Sequence, residues 1–524
     1  MSRIYQIISR FILPSNAKRA FRQLARPGRT LTAQGAEPYV VVVDGTLAAE
    51  ALSLYYAFLL LSIQDSLHRP IKVILLVNKR LDGYWRSNRV YRMLFDVSVV
   101  AMNDRLLRAA TVECDSLMAD LKSQQDILDL SVQGIHFGPN IYAGYLRKHF
   151  VGAMHPGSEG VREILEESLA NLALAQRTLD LHRPDLLVLS HSDYHSFGAF
   201  FKKFLHAKVP TLIGTLYGEG RVGGRLYVSL SDFECEPRNY AFSCTPETWW
   251  QALSSYSFQD NDKVSAYLTK RFAGDDDSFN GDYHKSTTRL QKDALLQKLG
   301  VIQPFKAAAL IAAHLLWDDA TSSYRNIYCD YTSWLQRTLE IAGGNHHVLW
   351  IVKAHPSELH MGTKDRVRDI VRTVFGDNLP AHIVFLDADT KLNTYSLIEA
   401  VDAVVTVRGT IGFEAACLGR TVINAGTGPY TAQGFNREFT HATDYEQCLA
   451  NLHTSELSLT PEQLRNARIA IFVYLMKKCP TSALLTRFPS LAELTPSSTL
   501  DAMQDEVLKR FSTKIVDKQA CDLM

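Results

Sequence analysis

The sequence predicts an α/β protein built from two doubly wound, Rossmann-like domains. Buried runs rich in β-branched residues alternate with helical patterns twice, once before about residue 236 and again after about residue 301. Continuous apolar runs of this kind are typical of parallel strands that are covered on both faces. The length of 524 residues is too great for one core and fits two domains with additional segments.

The first alternation begins at residue 38. Its predicted strands are YVVVVDG, IKVILLVN, VSVVAMN, DLLVLSH and VPTLIGTLYGEG, and helical patterns separate them. Repeated strand–helix alternation predicts one doubly wound domain over residues 38–300. Its last part, from about residue 236, is less regular and contains a polar stretch after residue 273, which predicts a loop-rich insert.

The second alternation predicts a Rossmann-like domain over residues 301–450. Its predicted strands are KAAALIAAHL, HHVLWIVKAHP, AHIVFLDAD, DAVVTV and RTVINAG, again separated by helical patterns. Residues 451–524 are predicted to add helices that complete the chain, near residues 460–478 and 501–513.

The N-terminal segment, residues 1–37, is basic: seven lysines and arginines precede the first acid, Glu37, and apolar residues lie among them at helical spacing. One interpretation is an amphipathic helix that rests on the anionic lipid of the inner membrane. The alternative is a basic surface helix or lead-in without membrane contact. No apolar run reaches the roughly 18–20 residues that a spanning helix needs.

The overall composition narrows the function classes. The formal net charge is only +1, which argues against a nucleic-acid-binding protein, because such proteins carry a strongly basic surface. The eight cysteines form no CxxC pair, so no zinc site is predicted, and free thiols fit the reducing cytoplasm.

Polar residues follow the strand DAVVTV directly. In open α/β sheets, ligands bind outside the carboxyl ends of the strands. Gly409 permits a positive φ and a close approach of a ligand, Arg408 can contact phosphate, and Thr410 can cap the next helix or bind a phosphate oxygen. Glu414, one turn further, can reach ribose hydroxyls or pair with a nearby base. The stretch predicts a nucleotide phosphate site; the alternative is an ordinary βα turn.

A second set of candidates follows the strand HHVLWIVK. His355 precedes Pro356, which forces an extended or turning chain, and a histidine at a strand end can donate a hydrogen bond to phosphate. Lys353 adds positive charge, and Glu358 can hold the other ring nitrogen of His355. The alternative is a structural histidine at a helix start.

These stretches resemble a known family. "VKAHPSE" and "SLIEAVDAVVTVRGTIGFEAACLGRTVI" are similar to the C-terminal half of bacterial capsule-polysaccharide glycosyltransferases, a group that includes Kdo transferases, and to the pattern of teichoic-acid glycerol-phosphate polymerases. The resemblance covers about residues 305–445. It implies a GT-B fold, in which two Rossmann-like domains face each other across a cleft and the C-terminal one holds a nucleotide-sugar donor without an essential metal.

The resemblance also implies roles for individual residues: it places His355, Pro356, Thr410 and Glu414 in donor binding. The sequence departs from the family pattern at two places. Arg408-Gly409-Thr410 stands where many members have Gly-Ser or Ser-Ser, and Thr421 stands where proline is commoner. Both departures leave the donor sugar undetermined.

Acceptor-side candidates follow a strand of the first half, in "SHSDYHSFG". Asp193 is positioned to deprotonate an acceptor hydroxyl or to act as a nucleophile, with His191 and His195 beside it. The alternatives are helix capping by Ser192 or Asp193 and a His–x–Asp–x–His metal site.

Two further stretches of the first half hold candidates. "YGEGRVGG", residues 217–224, is predicted as a flexible loop in which Glu219 is a second base candidate and Arg221 can meet an anionic group. A solvated glycine-rich turn is the alternative there. Asp44, at the end of the first strand, is a third candidate, for which a plain turn is the alternative.

The sequence thus predicts a glycosyltransferase that moves a sugar from a nucleotide donor, CMP- or UDP-linked, to a capsule or lipopolysaccharide acceptor. Asp193, Glu219 and His355 are the predicted catalytic residues, and no cofactor is expected. Alternatives on the same fold are a polyol-phosphate transferase and a sugar-nucleotide epimerase. Another is a scaffold that binds a nucleotide sugar without catalysis.

Overall fold

The computed structural model describes residues 36–45, 50–78, 84–216, 221–234, 244–273, 287–321, 325–477, 480–487, 505–518 and 520–523. Of the basic segment predicted at residues 1–37, residues 1–35 lie outside these ranges. Glu219 also lies outside them. Within these ranges, no helix combines the length and the apolar character that crossing a bilayer requires.

The first domain is built on a sheet for which the described residues supply seven strands. Their order is β15-β8-β7-β6-β1-β2-β3, and β1, β2, β3, β6 and β7 run parallel. The first-half strands are β1 Tyr39–Asp44, β2 Ile71–Val77, β3 Asp96–Ala101, β6 Leu186–Leu189, β7 Thr211–Leu216 and β8 Val222–Tyr227, with the small hairpin β4 Ser131–Val132 and β5 Ile135–His136 apart from the sheet.

Helices cover both faces of this sheet, as the buried strand runs predicted. They are α1 Glu50–Leu67, α2 Tyr84–Leu94, α3 Asp104–Asp120, α4 Gln124–Leu128, α5 Gly138–His149, α6 Val161–His182, α7 Tyr194–His206 and α8 Leu230–Glu234. Burial on both faces explains why β1 reads as an uninterrupted apolar run instead of an alternating one.

The edge of the first sheet differs from the sequence prediction. The glycine-rich stretch predicted as a loop over residues 217–224 turns at Val222 into β8, which pairs antiparallel with β7. Gly224 permits this pairing, because a Cβ there would lie 2.8 Å from the carbonyl oxygen of Ile213. Glycine weakens the strand signal of a sequence, so the pattern predicted a turn.

The second domain has a sheet with six strands in the described residues. Their order is β11-β10-β9-β12-β13-β14, and all of them are parallel. The strands are β9 Ala307–Ala312, β10 Val348–Lys353, β11 Ile383–Leu386, β12 Ala403–Thr406, β13 Thr421–Asn424 and β14 Arg437–Glu438.

Helices from two parts of the chain pack on the second sheet. Those that follow its strands are α12 Tyr331–Gly344, α13 Val367–Phe375, α14 Thr394–Ala400, α15 Ile411–Cys417, α16 Ala442–Ala450 and α17 Pro461–Ile471; those that precede it are α9 Pro246–Ser255, α10 Phe258–Ala273 and α11 Lys292–Lys298. Trp249, Leu268 and Leu295, from the three preceding helices, share one apolar cluster with the sheet.

The end of the chain returns to the first domain. Short α18 Ala483–Arg487 and α19 Glu506–Val516 contribute to the core around α1, and β15 Cys521–Leu523 pairs antiparallel with β8. The hydroxyl of Ser512 on α19 bonds that of Ser62 on α1 at 3.0 Å. The predicted fold class, two Rossmann-like domains of GT-B type, is confirmed, although the first domain is assembled from both ends of the chain.

Helix α5 and the chain after it connect the two domains. The hydroxyl of Tyr142 on α5 donates to a carboxylate oxygen of Asp330 at 2.6 Å, and the N–H of Gly152 donates to Asp365 at 2.8 Å. Tyr142 belongs to an apolar cluster that also contains Trp317 and Trp334 of the second domain. The first domain is therefore packed firmly beside the carboxyl edge of the second sheet.

Candidate functional site

A cavity of about 160 Å³ lies at the carboxyl ends of β9, β10 and β12. Its lining comes from residues 312–314 at the end of β9, residues 353–356 at the end of β10, and residues 406 and 409–411 at the end of β12, with contributions from α10, α14 and α15. These are the strand ends at which the sequence predicts ligand binding, because parallel strands bring their carboxyl ends to one edge.

The ring of His355 is held by the turn that follows β10. Its Nδ1 accepts a hydrogen bond from the N–H of Ser357 at 3.2 Å, and Pro356 starts a 3₁₀ turn over Pro356–Leu359. A backbone N–H only donates, so Nδ1 carries no proton and the neutral ring carries it on Nε2. Burial, and then the charge of Lys353, lower the pKa of His355 to about 4. His355 therefore lines the cavity as a neutral N–H donor.

Lys353 supplies positive charge to the same cavity. The side chain is buried at the end of β10, and burial lowers the pKa of its ammonium to about 8. It is therefore mostly protonated at neutral pH and loses its charge as the pH rises through about 8. A buried ammonium beside a neutral imidazole N–H is a combination that binds an anion.

The turn after β12 is tight for a reason that differs in part from the predicted one. Gly409 does not adopt a positive φ; instead, a Cβ there would lie 3.1 Å from Thr406 Oγ1 and 3.6 Å from His314 Cε1. Thr410 precedes α15 without a capping bond from its side chain, and it is exposed at the cavity. The glycine thus allows the turn to approach His314 closely.

Glu414 lines the cavity as part of a buried ion pair. Its Oε1 accepts from Arg271 Nε at 2.9 Å, and the two side chains are only 10% and 11% exposed, respectively. Arg271 lies near the end of α10, 143 residues before Glu414 in the chain. The sequence predicted a base near Glu414 but could not identify Arg271, because a lone arginine at a helix end resembles any surface arginine.

The side chains of Arg408 and Glu358 do not make the contacts that the sequence predicted for them. The guanidinium of Arg408 donates to Asn326 Oδ1 and lies 5.5 Å from the ring centre of Tyr331, and it does not line the cavity. The carboxylate of Glu358 accepts from the N–H of Val367 at 3.3 Å and makes no bond to the ring of His355. Burial raises the pKa of Glu358 to about 7.

The first domain reaches the site at a second cavity of about 290 Å³, which shares His314 and His355 with the first. Arg147 on α5 lines it, pairs with Asp318 at 3.3 Å and lies 4.6 Å above the ring of Trp317. The second cavity therefore places Arg147 of the first domain beside His314 and His355 at the predicted donor-binding edge.

Asp193 lies behind this second cavity at the start of α7. Ser192 Oγ donates to its carboxylate at 3.1 Å, and the side chain makes no helix-capping bond. Burial, with the nearby carboxylates Asp319 and Asp318, raises the pKa of Asp193 well above its usual range. Tyr194 donates to Asp318 at 2.9 Å, which connects the start of α7 to the cavity.

The two histidines that flank Asp193 have different positions. Nδ1 of His191 lies 2.8 Å from Ser190 Oγ, its ring packs against Phe197, and burial lowers its pKa. His195 instead turns into its own domain, where Nε2 bonds Glu167 at 3.1 Å. Among the described residues, no group of three or more His, Cys, Asp or Glu side chains could hold a metal ion.

The other acceptor-side candidates lie apart from both cavities. Asp44 is buried at the end of β1, where burial and then the charge of Asp44 raise the pKa of Tyr91, and it lines neither cavity. Arg221 forms an antiparallel bridge with Thr481 and also lines neither of them.

Replacing Arg271 tests the ion pair. Arg271→Met leaves Glu414 charged and buried, so we expect a loss of about 3–5 kcal/mol in the free energy of unfolding. The double variant Arg271→Met/Glu414→Met removes both charges and should recover most of that loss. Denaturant unfolding measures the free energy of unfolding of both variants.

The control is Arg289→Met, which breaks the ion pair of Arg289 with Glu399. Their side chains are 46% and 38% exposed, respectively, so this variant should lose about 1 kcal/mol or less. Equal losses in Arg271→Met and Arg289→Met would contradict this description.

Comparisons with known proteins agree with the predicted resemblance. Residues 252–458 match the sequence model of the family described as capsule polysaccharide biosynthesis protein. No curated protein matches the chain.

Several solved structures have a similar fold at low identity. KpsC, a beta Kdo 2,4 transferase from Thermosulfurimonas dismutans, is 13% identical over 55% of this chain and 88% of its own, with a TM-score of 0.29. The UDP-GlcNAc 2-epimerase from Neisseria meningitidis is 14% identical over 84% and 100%, with a TM-score of 0.24. WaaG, a glycosyltransferase involved in lipopolysaccharide biosynthesis, is 9% identical over 88% of this chain and 99% of its own, with a TM-score of 0.25.

Likenesses this distant say nothing about the activity of the chain. The family match over residues 252–458 covers the cavity residues and Arg271.

Proposed function

We propose that the protein is a glycosyltransferase that binds a nucleotide-linked sugar in the first cavity and transfers the sugar to a bacterial capsule or lipopolysaccharide acceptor. The observation that carries the proposal is the convergence of the Lys353 ammonium and the neutral His355 imidazole on one cavity at a parallel-sheet edge. The family match over residues 252–458 supports a role in polysaccharide synthesis.

The donor side works by electrostatic stabilisation. As the glycosidic bond breaks, negative charge grows on the leaving phosphate, and Lys353 and the Nε2–H of His355 stabilise that charge. Their burial strengthens the effect, because fixed donors in a low-dielectric site need no reorganisation during the reaction. The Thr410 hydroxyl adds a donor at the mouth of the cavity, and Glu414, oriented by Arg271, is placed to accept from ribose hydroxyls.

The acceptor side is the second cavity. An acceptor hydroxyl that enters beside Arg147 meets the carboxylate of Asp318, which can take up the hydroxyl proton, and Asp193 is the other base candidate near this cavity. Glu219, the other predicted base, lies outside the described residues. An epimerase needs no acceptor, so a second cavity beside the donor cavity favours transfer.

Donor binding can be tested by thermal shift with CMP-, UDP-, GDP- and CDP-linked sugars, because a ligand that binds only the native state raises the melting temperature. We expect one of them to bind and Lys353→Met to weaken binding about 10- to 100-fold, the effect of losing a charged hydrogen bond. Affinity in the wild type should fall as the pH rises through about 8, where Lys353 loses its proton, and should not do so in the variant. Lys391→Met, at an exposed site, is the control. Failure of all four sugar nucleotides to bind would overturn the proposal.

The acceptor base can be identified from turnover. Asp193→Asn and Asp318→Asn keep the shape of the side chain and remove the base. We expect at least one of them to lower kcat about 100-fold or more, with donor affinity unchanged. Asp389→Asn, at an exposed strand-end acid, should leave both quantities unchanged. Full turnover in both Asp193→Asn and Asp318→Asn would remove the acceptor-side assignment.

The proposal places the enzyme in the cytoplasm, in contact with the inner membrane through the basic segment of residues 1–37. This contact predicts that the full chain sediments with vesicles containing anionic lipid and that neutralising Arg19, Arg22 and Arg26 releases it. Equal sedimentation with neutral and anionic vesicles would contradict the membrane contact and would leave the donor site unaffected.

A further inference from the structure

We propose that His314 is a second imidazole donor, whose Nδ1–H binds the phosphate of the leaving nucleotide opposite the Nε2–H of His355. The inference rests on the proposed function, since it names a binding residue for the same ligand. Neither motif of the family resemblance includes His314, which follows β9 instead of β10 or β12.

The hydrogen bonds around His314 determine which ring nitrogen carries the proton. Nε2 lies 3.3 Å from the N–H of Val407 and 3.5 Å from that of Arg408, and both groups donate to it. It also lies 3.0 Å from Thr406 Oγ1. A nitrogen that accepts from backbone N–H groups has no proton of its own, so the neutral ring is protonated on Nδ1. The Thr406 hydroxyl must then donate to Nε2 as well.

The position of the ring leaves Nδ1 available to a ligand. One face stacks on Tyr331 with ring centres 4.4 Å apart and an angle of 11° between the planes, and Trp334 packs edge-on at 5.9 Å. In the part of the chain that the structure describes, Nδ1 has no hydrogen-bond partner and is not enclosed by protein atoms. The residue lines both cavities, so the open side of the ring is the cavity side.

A neutral ring suits this position. Burial, with the nearby Arg408 and His355, lowers the pKa of His314 to about 3, so the ring stays neutral under working conditions. It therefore adds a hydrogen bond to the phosphate without placing another charge beside the buried ammonium of Lys353. Two neutral imidazoles and one ammonium can together surround an anion at the point where the two cavities meet.

The role of Nδ1 can be separated from that of Nε2 by two substitutions. His314→Asn places an amide N–H near the position of Nδ1, whereas His314→Phe has no donor there. Both variants lose the Nε2 acceptor, so any damage to the turn at residues 406–409 is common to both. His347→Asn, an exposed histidine just before β10, is the control for the substitution itself.

Affinities for CMP, UDP, GDP and CDP are measured by calorimetry for each variant. We expect His314→Phe to bind the best of the four about 10- to 100-fold more weakly than wild type, the range for a lost hydrogen bond to a charged group. His314→Asn should remain within about 5-fold of wild type, and His347→Asn should equal it. Equal affinities for His314→Phe and His314→Asn would overturn the inference.

A second measurement on the wild type does not depend on whether the variants fold. Long-range ¹⁵N–¹H spectra of histidine-labelled protein report which nitrogen of each ring is protonated. We expect one ring, absent from the spectrum of His314→Asn, to be protonated on Nδ1 and to shift when the nucleotide is added. Protonation on Nε2, or no shift, would overturn the inference while nucleotide binding still supported the proposed function. If none of the CMP-, UDP-, GDP- and CDP-linked sugars binds the wild type, the proposed function fails and this inference fails with it.

Discussion

The site depends on hydrogen bonds that backbone N–H groups of two turns donate to imidazole nitrogens. The N–H of Ser357 fixes the proton of His355 on Nε2, and those of Val407 and Arg408 fix the proton of His314 on Nδ1. Each of these buried donors would cost about 1–3 kcal/mol if left without an acceptor. The two rings are therefore held neutral, in defined tautomers, by the same turns that shape the cavity. An anion then meets prearranged donors at the sheet edge.

The second domain supplies the charged part of this arrangement, and the first domain closes it. Helix α5 brings Arg147 against Asp318 and Trp317, so the second cavity takes part of its lining from the first domain. That packing is stabilised by the Tyr142–Asp330 bond and by a shared apolar cluster. The C-terminal helix and strand also return to the first sheet. A reaction that needs groups from both domains can therefore be assembled in one place.

The sequence was sufficient for the parallel strands β1 to β3, β6, β7 and β9 to β13 and for the edge at which polar side chains gather, because these follow from apolar patterning and from the position of residues after each strand. It was insufficient wherever a contact joins distant parts of the chain. Arg271 meets Glu414 across 143 residues, and no local pattern marks it. Arg408 follows its strand as predicted, yet its side chain turns to Asn326, because backbone position does not determine side-chain direction. The apolar face of α19 likewise predicts that this helix is buried, but the sequence pattern does not show which sheet the helix covers.

The measurement that tests the account most directly is a crystal structure of the protein with a bound sugar nucleotide. The account predicts that the phosphate lies in the cavity at the ends of β9, β10 and β12, within hydrogen-bond distance of Lys353 Nζ and of the Nε2 atom of His355. A ligand bound with its phosphate elsewhere, for example against the guanidinium of Arg408 or in the first domain beside Asp44, would contradict it.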